Sequence, residues 1–340
     1  MHSFFKKSLA ERLFYLKFSI FVLKIRFFRN MKSHQNQRIL MSEYVKVLIA
    51  ELDRLQRYST SRNYRRALES FRKFRHGEPL FMDALTAEEV LRYNHYLQES
   101  GLQRNTISFY NRILRSVYNQ AVQQGYAPKS NPFENVYTGV DVTRKRALPV
   151  QLLHQIAALP LSDPDMALAR DLFLFSFMAR GMSFVDMAYL TQQNLQPGFL
   201  HYVRRKTGQA LSVRIEPWMQ EILDKYRSLC HAPYLLPILH TLDAKEAFKE
   251  YTAALGRHDR QLRLLGKQVG ADFPLSSYCA RHSWATIARD LQVPLSVISS
   301  GMGHTSEKTT RIYLASLDNS LVDRANRQIW DQIVQTGSAL

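Results

Sequence analysis

The chain of 340 residues has little of what disulfide scaffolds and metal centres require. Its two cysteines, Cys230 and Cys279, lie far apart and form no CxxC pair, which argues against a disulfide framework or a zinc site. Two unpaired thiols are typical of a reducing compartment, so we expect a cytoplasmic protein. The sequence also has no glycine-rich phosphate loop, HExxH, GxSxG or Cys/His cluster. We therefore expect no metal ion and no cofactor.

Acidic residues are scarce relative to basic ones. The chain has 46 Lys and Arg against 29 Asp and Glu, a net charge of +17 at pH 7. Residues 1–40 carry +8 of this charge, and the rest of the chain is still basic without them. A balance of this kind points to a polyanionic partner such as nucleic acid.

The amino-terminal stretch lacks the features of a membrane span or a signal peptide. Its apolar run from Leu13 to Phe28 is broken by Lys17, Lys24 and Arg26, and no small-residue cleavage site follows it. We interpret residues 1–40 as a basic extension, either disordered or translated from a start codon upstream of the true one. Met1, Met31 and Met41 are all candidate starts. A membrane-surface anchor is the alternative.

Residues 41–130 have the apolar periodicity of four helices. Caps indicate where two of them begin: Ser59 to Ser61 before the second, and the box Thr86-Ala-Glu-Glu89 before the third. The first predicted helix runs from Glu43 to Leu55, and the second runs from the cap at Ser59 to Ser61 through Arg75. The third runs from Thr86 to Ser100, and the fourth from Arg104 to Gly125. This segment is expected to be a small helical domain.

Several arginines of this helical domain lie at helix starts and on polar faces. Side chains of this type contact DNA phosphates and give affinity without reading sequence. The alternative for any one of them is a solvated helix face. The residues predicted to bind DNA are Arg62, Arg65, Arg66, Arg104, Asn105 and Arg112.

Residues 131–146 lack apolar periodicity and are predicted to form an exposed linker. A second domain, 147–335, follows it. Helical patterns dominate this domain, and two short strands, Phe199 to Arg205 and Ala210 to Ile215, flank the turn Lys206-Thr207-Gly208-Gln209. The predicted fold is mainly α: a helical domain, then an α-rich domain with a small antiparallel β-sheet.

The stretch from Ser276 to Leu314 contains an arginine, a histidine and a tyrosine suited to phosphodiester chemistry. Arg281 can hold two phosphate oxygens, and His304, in the turn Gly301-Met-Gly-His304, can donate to the same phosphate. Tyr313 follows nine residues later and can supply a nucleophilic phenol oxygen. Lys206, in the hairpin turn, can protonate the leaving oxygen.

These residues, in this order and spacing, resemble the tyrosine recombinases, or phage-type integrases. The resemblance covers nearly all of 41–335 and rests on Ala280-Arg281-His282, on Gly301 to His304 and on Thr310-Arg-Ile-Tyr313. It implies a core-binding domain and a catalytic domain that together cleave and rejoin DNA through a covalent 3′-phosphotyrosyl intermediate. Tyr313 is then the nucleophile, Arg281 and His304 contact the phosphate, and Lys206 is the general acid.

Two positions depart from the family pattern. Tyr278 stands where the family usually has a histidine, and a phenol is a poor base at neutral pH. Ser183 stands three residues before Asp186, where the family has its first catalytic arginine. Arg180, one helical turn earlier, is our preferred replacement, and Arg204 and Arg205 are alternatives.

The resemblance also implies partners. Double-stranded DNA sites, four protein copies in a synaptic tetramer and accessory DNA-bending factors are expected, and the apolar tail helix with Trp330 is expected to dock on a neighbouring copy or to fold back. The outcome can be integration, excision, inversion or dimer resolution, and the target sequence is open. The second hypothesis is a catalytically idle DNA-binding protein on the same fold, supported by Ser183 and Tyr278.

Overall fold

The structure, a computed structural model, describes residues 38–141, 146–304 and Thr310. These residues fall into two compact units, divided after Asp141. The predicted extension up to residue 37, part of the linker at 142–145, Tyr313 and the tail that follows it lie outside the described residues. Within the described part of the chain, no helix is both long enough and apolar enough to cross a membrane.

The described residues of the first unit form four helices and one 3-10 turn, Met82–Ala84. Each helix has the apolar face that its sequence period predicts, and the core includes Val45, Phe71, Tyr93 and Leu114. The helices are α1 (Met41–Arg54), α2 (Tyr58–Phe74), α3 (Ala87–Glu99) and α4 (Arg104–Gln123). The four predicted helices are therefore present.

The predicted caps have different outcomes. Thr86 is the N-cap of α3, and its side chain accepts a hydrogen bond from the backbone N–H of Glu89 at 3.3 Å. The prediction that Ser59 to Ser61 cap α2 is wrong, because α2 begins one residue earlier, at Tyr58. Ser61 consequently lies inside the helix and is fully buried.

The segment 131–141, predicted to be part of an exposed linker, packs on the first unit instead. Phe133 and Val136 are buried in its core. Asn105 on α4 bonds both backbone groups of Asp141: its Nδ2 donates to the carbonyl at 3.1 Å and its Oδ1 accepts from the N–H at 2.8 Å. Asn111, also on α4, donates to the carbonyl of Tyr137 at 3.5 Å. Polar side chains of α4 thus hold a segment that has no periodicity of its own.

The second unit contains seven helices among its described residues and one antiparallel sheet. The helices are α5 (Val150–Ala158), α6 (Pro164–Met178), α7 (Phe184–Ala188), α8 (Pro217–Tyr226), α9 (Ala244–Gln268), α10 (Ser277–Asp290) and α11 (Leu295–Gly301). Helix α6 lies at the centre, and Phe173 and Phe175 on it are fully buried. The side chain of Asp163 caps α6 by accepting from the N–H of Asp165, and Pro164 is the first helical residue.

The sheet has three strands in the order β1 (Leu195–Gln196), β2 (Phe199–Val203) and β3 (Ala210–Arg214). The two predicted strands are β2 and β3, which pair from Phe199–Arg214 to Val203–Ala210. The two-residue strand β1 was not predicted, since it is too short to show an alternating pattern. The mainly helical fold with a small antiparallel sheet is confirmed.

One contact between helices places the segment that carries Arg281. The carboxylate of Asp259 on α9 accepts a hydrogen bond from the backbone N–H of Ser277, the first residue of α10, at 2.7 Å. An orphan amide at a helix start is satisfied in this way. Helix α10 therefore begins at a fixed point, one turn before Arg281.

Candidate active site

Arg281 lies almost fully inside the second unit, with 2% of its surface exposed. Its Nη1 donates to the carbonyl of Gly181 at 2.8 Å, and its Nη2 donates to the carbonyl of Met302 at 2.5 Å. The same Nη2 lies 3.0 Å from Nε2 of His304. Main-chain carbonyls and the His304 ring hold the guanidinium in a fixed orientation.

Gly181 makes this position of Arg281 possible. Its φ of +70° is in the left-handed region. A Cβ on this residue would lie 2.6 Å from the Cα of Arg281, closer than such atoms can approach. The site therefore needs glycine at 181 for both backbone conformation and space.

His304 connects Arg281 to the segment that leads toward Tyr313. Its Nδ1 lies 2.8 Å from the hydroxyl oxygen of Thr310. Arginine has only donors, so Nε2 accepts from Arg281 and we assign the N–H of the neutral ring to Nδ1. Burial, reinforced by Arg281, Arg204 and Lys206, lowers the pKa of His304 to about 4. In this tautomer Nε2 is an acceptor, so the predicted donation to a phosphate through Nε2 needs either the other tautomer or a proton gained by the ring.

Arg204 is a second buried guanidinium at the same turn, with 4% of its surface exposed. Its Nη1 donates to the carbonyl of Gly303 at 2.8 Å. Gly303 directly follows Met302, whose carbonyl accepts from Arg281. Its Nε has no hydrogen-bond partner among the described residues. Lys206 is exposed two residues later, in the turn that joins β2 to β3. The hairpin therefore brings two cations toward His304.

Ser183 and Asp186 lie at the start of α7 and bond to each other. The Ser183 hydroxyl donates to one carboxylate oxygen of Asp186 at 2.6 Å. The other oxygen accepts from the backbone N–H of Arg205 at 2.8 Å. The Arg205 guanidinium lies over the Tyr189 ring, 3.8 Å from its centroid. The serine at the position of the expected arginine is thus part of a bonded arrangement with the hairpin.

Arg180, the preferred replacement for that arginine, lies on the α11 side of the site. It has a φ of +58° and is half-buried. Its δ carbon would lie 3.6 Å from a Cβ placed on Gly301, and it lines a cavity of about 550 Å³ with Trp284 and Val297. Burial raises the pKa of Tyr202 while Arg281, Arg204 and Arg180 all act to lower it, and Arg281 and Arg204 also lower the pKa of the buried His304. We propose Arg204, an alternative in the sequence prediction, as the second guanidinium, because it bonds the same turn as Arg281.

The two tyrosines of the predicted site differ in what can be described. Tyr278 lies in the first turn of α10 with 43% of its surface exposed. Its ring packs edge-on against the ring of His282, with the two ring centroids 5.0 Å apart. Tyr313 lies outside the described residues. The described part of the chain holds no group of three or more His, Cys, Asp or Glu side chains that could bind a metal ion.

The residues predicted to bind DNA all belong to the first unit. Arg62, Arg65 and Arg66 lie on one face of α2, and Arg65 pairs with Asp53. On α4, the Arg104 guanidinium lies 3.9 Å from the centroid of the Tyr137 ring and 3.4 Å from the Asp141 carboxylate.

The other two predicted residues on α4 also have internal partners. Asn105 holds the backbone of Asp141, as described for the fold, and Arg112 donates to the carbonyl of Ser108 at 3.4 Å. Arg104 and Asn105 therefore have a structural role, and their contact with DNA stays a prediction.

Sequence comparison finds relatives for both parts of the chain. Residues 40–138 match the phage integrase SAM-like domain family. Tyrosine recombinase XerD of Halalkalibacterium halodurans is 25% identical over 241 residues, which cover 67% of this chain and 77% of the relative.

Solved structures share the fold. The Tn1549 transposon integrase in complex with a circular intermediate DNA superposes with a TM-score of 0.58 at 15% identity, covering 80% of this chain and 94% of that one. The lambda integrase tetramer bound to a Holliday junction gives a TM-score of 0.56 at 15% identity, covering 82% and 78%. Together these similarities relate the chain to the tyrosine recombinases and phage integrases.

Proposed function

We propose that this chain, a relative of the tyrosine recombinases with the integrase fold, cleaves and rejoins double-stranded DNA at specific sites through a covalent 3′-phosphotyrosyl intermediate. The observation that carries the proposal is the pair of buried guanidiniums, Arg281 and Arg204, fixed on consecutive carbonyls of the 301–304 turn. Two arginines in that arrangement can hold the non-bridging oxygens of one phosphodiester.

The reaction needs no metal ion or ATP in this scheme. The Tyr313 oxygen attacks the phosphorus while the bond from phosphorus to the 5′-oxygen breaks. Lys206 gives a proton to that 5′-oxygen, the proton that the phenol loses passes to solvent, and solvent returns a proton to Lys206. The energy of the broken bond is kept in the phosphotyrosine, so a second 5′-hydroxyl can reverse the step and join a new strand.

His304 becomes a donor once the phosphate is bound. Three cations and burial hold its pKa near 4 in the free protein. A phosphodiester among the same cations adds a negative charge, which favours the protonated ring. The imidazolium then donates through Nε2 to a phosphate oxygen, as the sequence predicts.

Partners follow from this reaction. Exchange between two duplexes requires four active sites, so we propose a tetramer of this chain on two DNA sites. The arginines of α2 and α4 supply phosphate contacts that position the first unit on its DNA without specifying sequence.

A nicked duplex taken from the DNA that flanks the gene tests the proposal. Cleavage next to the nick releases a short oligonucleotide and leaves an SDS-stable protein–DNA adduct. We expect an adduct with the unchanged protein and none with Tyr313→Phe, while Tyr96→Phe, a matched change in the first unit, keeps it. Intact DNA binding with no adduct on any flanking site would instead favour the idle DNA-binding protein.

A further inference from the structure

Asp186 is a buried carboxylate that the proposed chemistry does not use. Its surface is 4% exposed, and each of its oxygens accepts a hydrogen bond. One bond comes from the Ser183 hydroxyl on its own helix start and the other from the backbone N–H of Arg205 on the hairpin. We infer that Asp186, held in place by Ser183, positions the Lys206 hairpin for proton transfer to the leaving oxygen.

The first step of the argument is where the bond from Asp186 reaches the hairpin. Arg205 is the residue immediately before Lys206, and its N–H lies 2.8 Å from the carboxylate. A hydrogen bond from a backbone N–H to an ionised carboxylate is shorter and stronger than one between neutral groups. The backbone on the amino-terminal side of Lys206 is therefore anchored to α7.

The second step is the anchor on the other side of Lys206. Thr207 donates through its hydroxyl to the carbonyl of Gly303 at 3.4 Å, and Arg204 donates to the same carbonyl at 2.8 Å. Lys206 thus lies between two residues that are each bonded to a different part of the site. The Asp186 bond ties the backbone of the turn to α7, where the Arg205 side chain also lies over Tyr189, whereas the other two bonds tie the turn to residues 301–304.

Ser183 completes the arrangement. With its second oxygen bonded to the hydroxyl at 2.6 Å, the carboxylate has a fixed orientation. The Ser183 hydroxyl occupies one carboxylate oxygen and leaves the other to the Arg205 amide.

This inference rests on the proposed function and concerns the breaking of the bond between phosphorus and the 5′-oxygen. A misplaced Lys206 fails to protonate the 5′-oxygen as the phosphorus–oxygen bond breaks. If that oxygen is replaced by sulfur, the leaving thiolate needs no proton, because a thiol is far more acidic than an alcohol. Loss of proton donation is then rescued, whereas loss of phosphate binding or of the nucleophile is not.

The experiment compares adduct formation on two nicked duplexes, one with the ordinary phosphodiester and one with a 5′-bridging sulfur. On the ordinary duplex we expect Asp186→Ala to be about 10²-fold slower than the unchanged protein, the range of one general-acid contribution. On the sulfur duplex its rate should return to within about fivefold of the unchanged protein, as should that of Lys206→Ala.

Conservative variants separate positioning from folding. Asp186→Asn keeps an acceptor for the Arg205 amide and should retain most of the rate on the ordinary duplex. Ser183→Ala removes one hydroxyl and should give a smaller loss than Asp186→Ala, again rescued by sulfur. Asp224→Ala removes an exposed carboxylate of α8 and should react like the unchanged protein on both duplexes.

Three results would overturn the inference. Equal loss with Asp186→Ala on both duplexes would mean that the carboxylate supports the phosphate site or the fold. A normal rate on the ordinary duplex would mean that the bond to Arg205 is not needed. No adduct with the unchanged protein on either duplex would overturn the proposed function itself, and this inference with it.

Discussion

At the scale of single residues, the site depends on a glycine more than on any charged neighbour of Arg281. Gly181 supplies a carbonyl to the guanidinium and leaves no room for a side chain against the Arg281 backbone. Gly270 has nearly the same φ, +68°, but nothing lies within 4 Å of a Cβ placed on it. A side chain at 270 would therefore meet backbone strain alone, whereas a side chain at 181 would meet both strain and a steric clash.

Alanine substitution at both glycines measures that difference. Gly270→Ala should lower the free energy of unfolding by about 1 kcal/mol, the cost of left-handed backbone in a residue with a Cβ. Gly181→Ala should lower it by about 2–4 kcal/mol, since overpacking adds to the same strain. Denaturant titration gives both values. Equal losses would contradict the proposed crowding against Arg281.

At the scale of elements, the β2–β3 hairpin is as much a part of the site as α10 is. Strand β2 turns Leu200 and Tyr202 inward. Continuing that alternation by two residues reaches Arg204, which is buried although the strand ends at Val203. The alternation of β2 is therefore a sequence signal for an inward Arg204, which was predicted only as an alternative to Arg180.

Arginine substitutions test which side chain completes the phosphate site. Arg204→Ala should reduce adduct formation on a nicked duplex by at least about 10²-fold, the usual cost of removing one donor to a developing anion. Arg180→Ala should stay within about fivefold of the unchanged protein, because its side chain runs along Gly301 and Trp284 instead. The reverse order of effects would restore Arg180 as the replacement.

Other elements show where sequence reasoning succeeds and where it does not. Helix α1 follows from its apolar periodicity and the start of α3 from its cap, Thr86, and both are local properties. The packing of 131–141 depends on hydrogen bonds from Asn105 and Asn111 to the backbone of Asp141 and Tyr137. Apolar periodicity in the sequence does not predict such bonds. Lys206 and Arg281 were predicted as site residues, while the bonds that connect Ser183, Asp186 and Arg205 required coordinates.

At the scale of the whole molecule, two buried histidines link the stability of the second unit to pH. His258 lies against Phe184, with ring centroids 4.7 Å apart, and its ring nitrogens have no hydrogen-bond partner among the described residues. Burial lowers its pKa to about 3, and the pKa of His304 is about 4. Below the ordinary value near 6.5, the unfolded chain binds protons that the folded chain does not. Stability is therefore complete above pH 6.5 and is lost as pH falls toward 3.

Replacing His258 tests whether stability falls as pH falls. His258→Leu should make the free energy of unfolding less dependent on pH between 6 and 4, by about 1.4 kcal/mol per pH unit for the one proton removed. His154→Leu, at an exposed position on α5, should leave the slope unchanged. Denaturant titrations at several pH values give the slopes, and identical slopes for the two variants would contradict the assignment.

The anchoring of Arg281 and Arg204 on main-chain carbonyls also has an evolutionary consequence. An acceptor on a side chain, such as a carboxylate, is lost when a mutation replaces that residue. A main-chain carbonyl is present whatever side chain the residue carries. Two of the three carbonyls come from Gly181 and Gly303, which their positive φ angles and close contacts require to be glycine. The third comes from the buried Met302, where another apolar side chain would keep the carbonyl in place. The arrangement of the two guanidiniums therefore tolerates a change of side chain at 302 and constrains the sequence at 181 and 303.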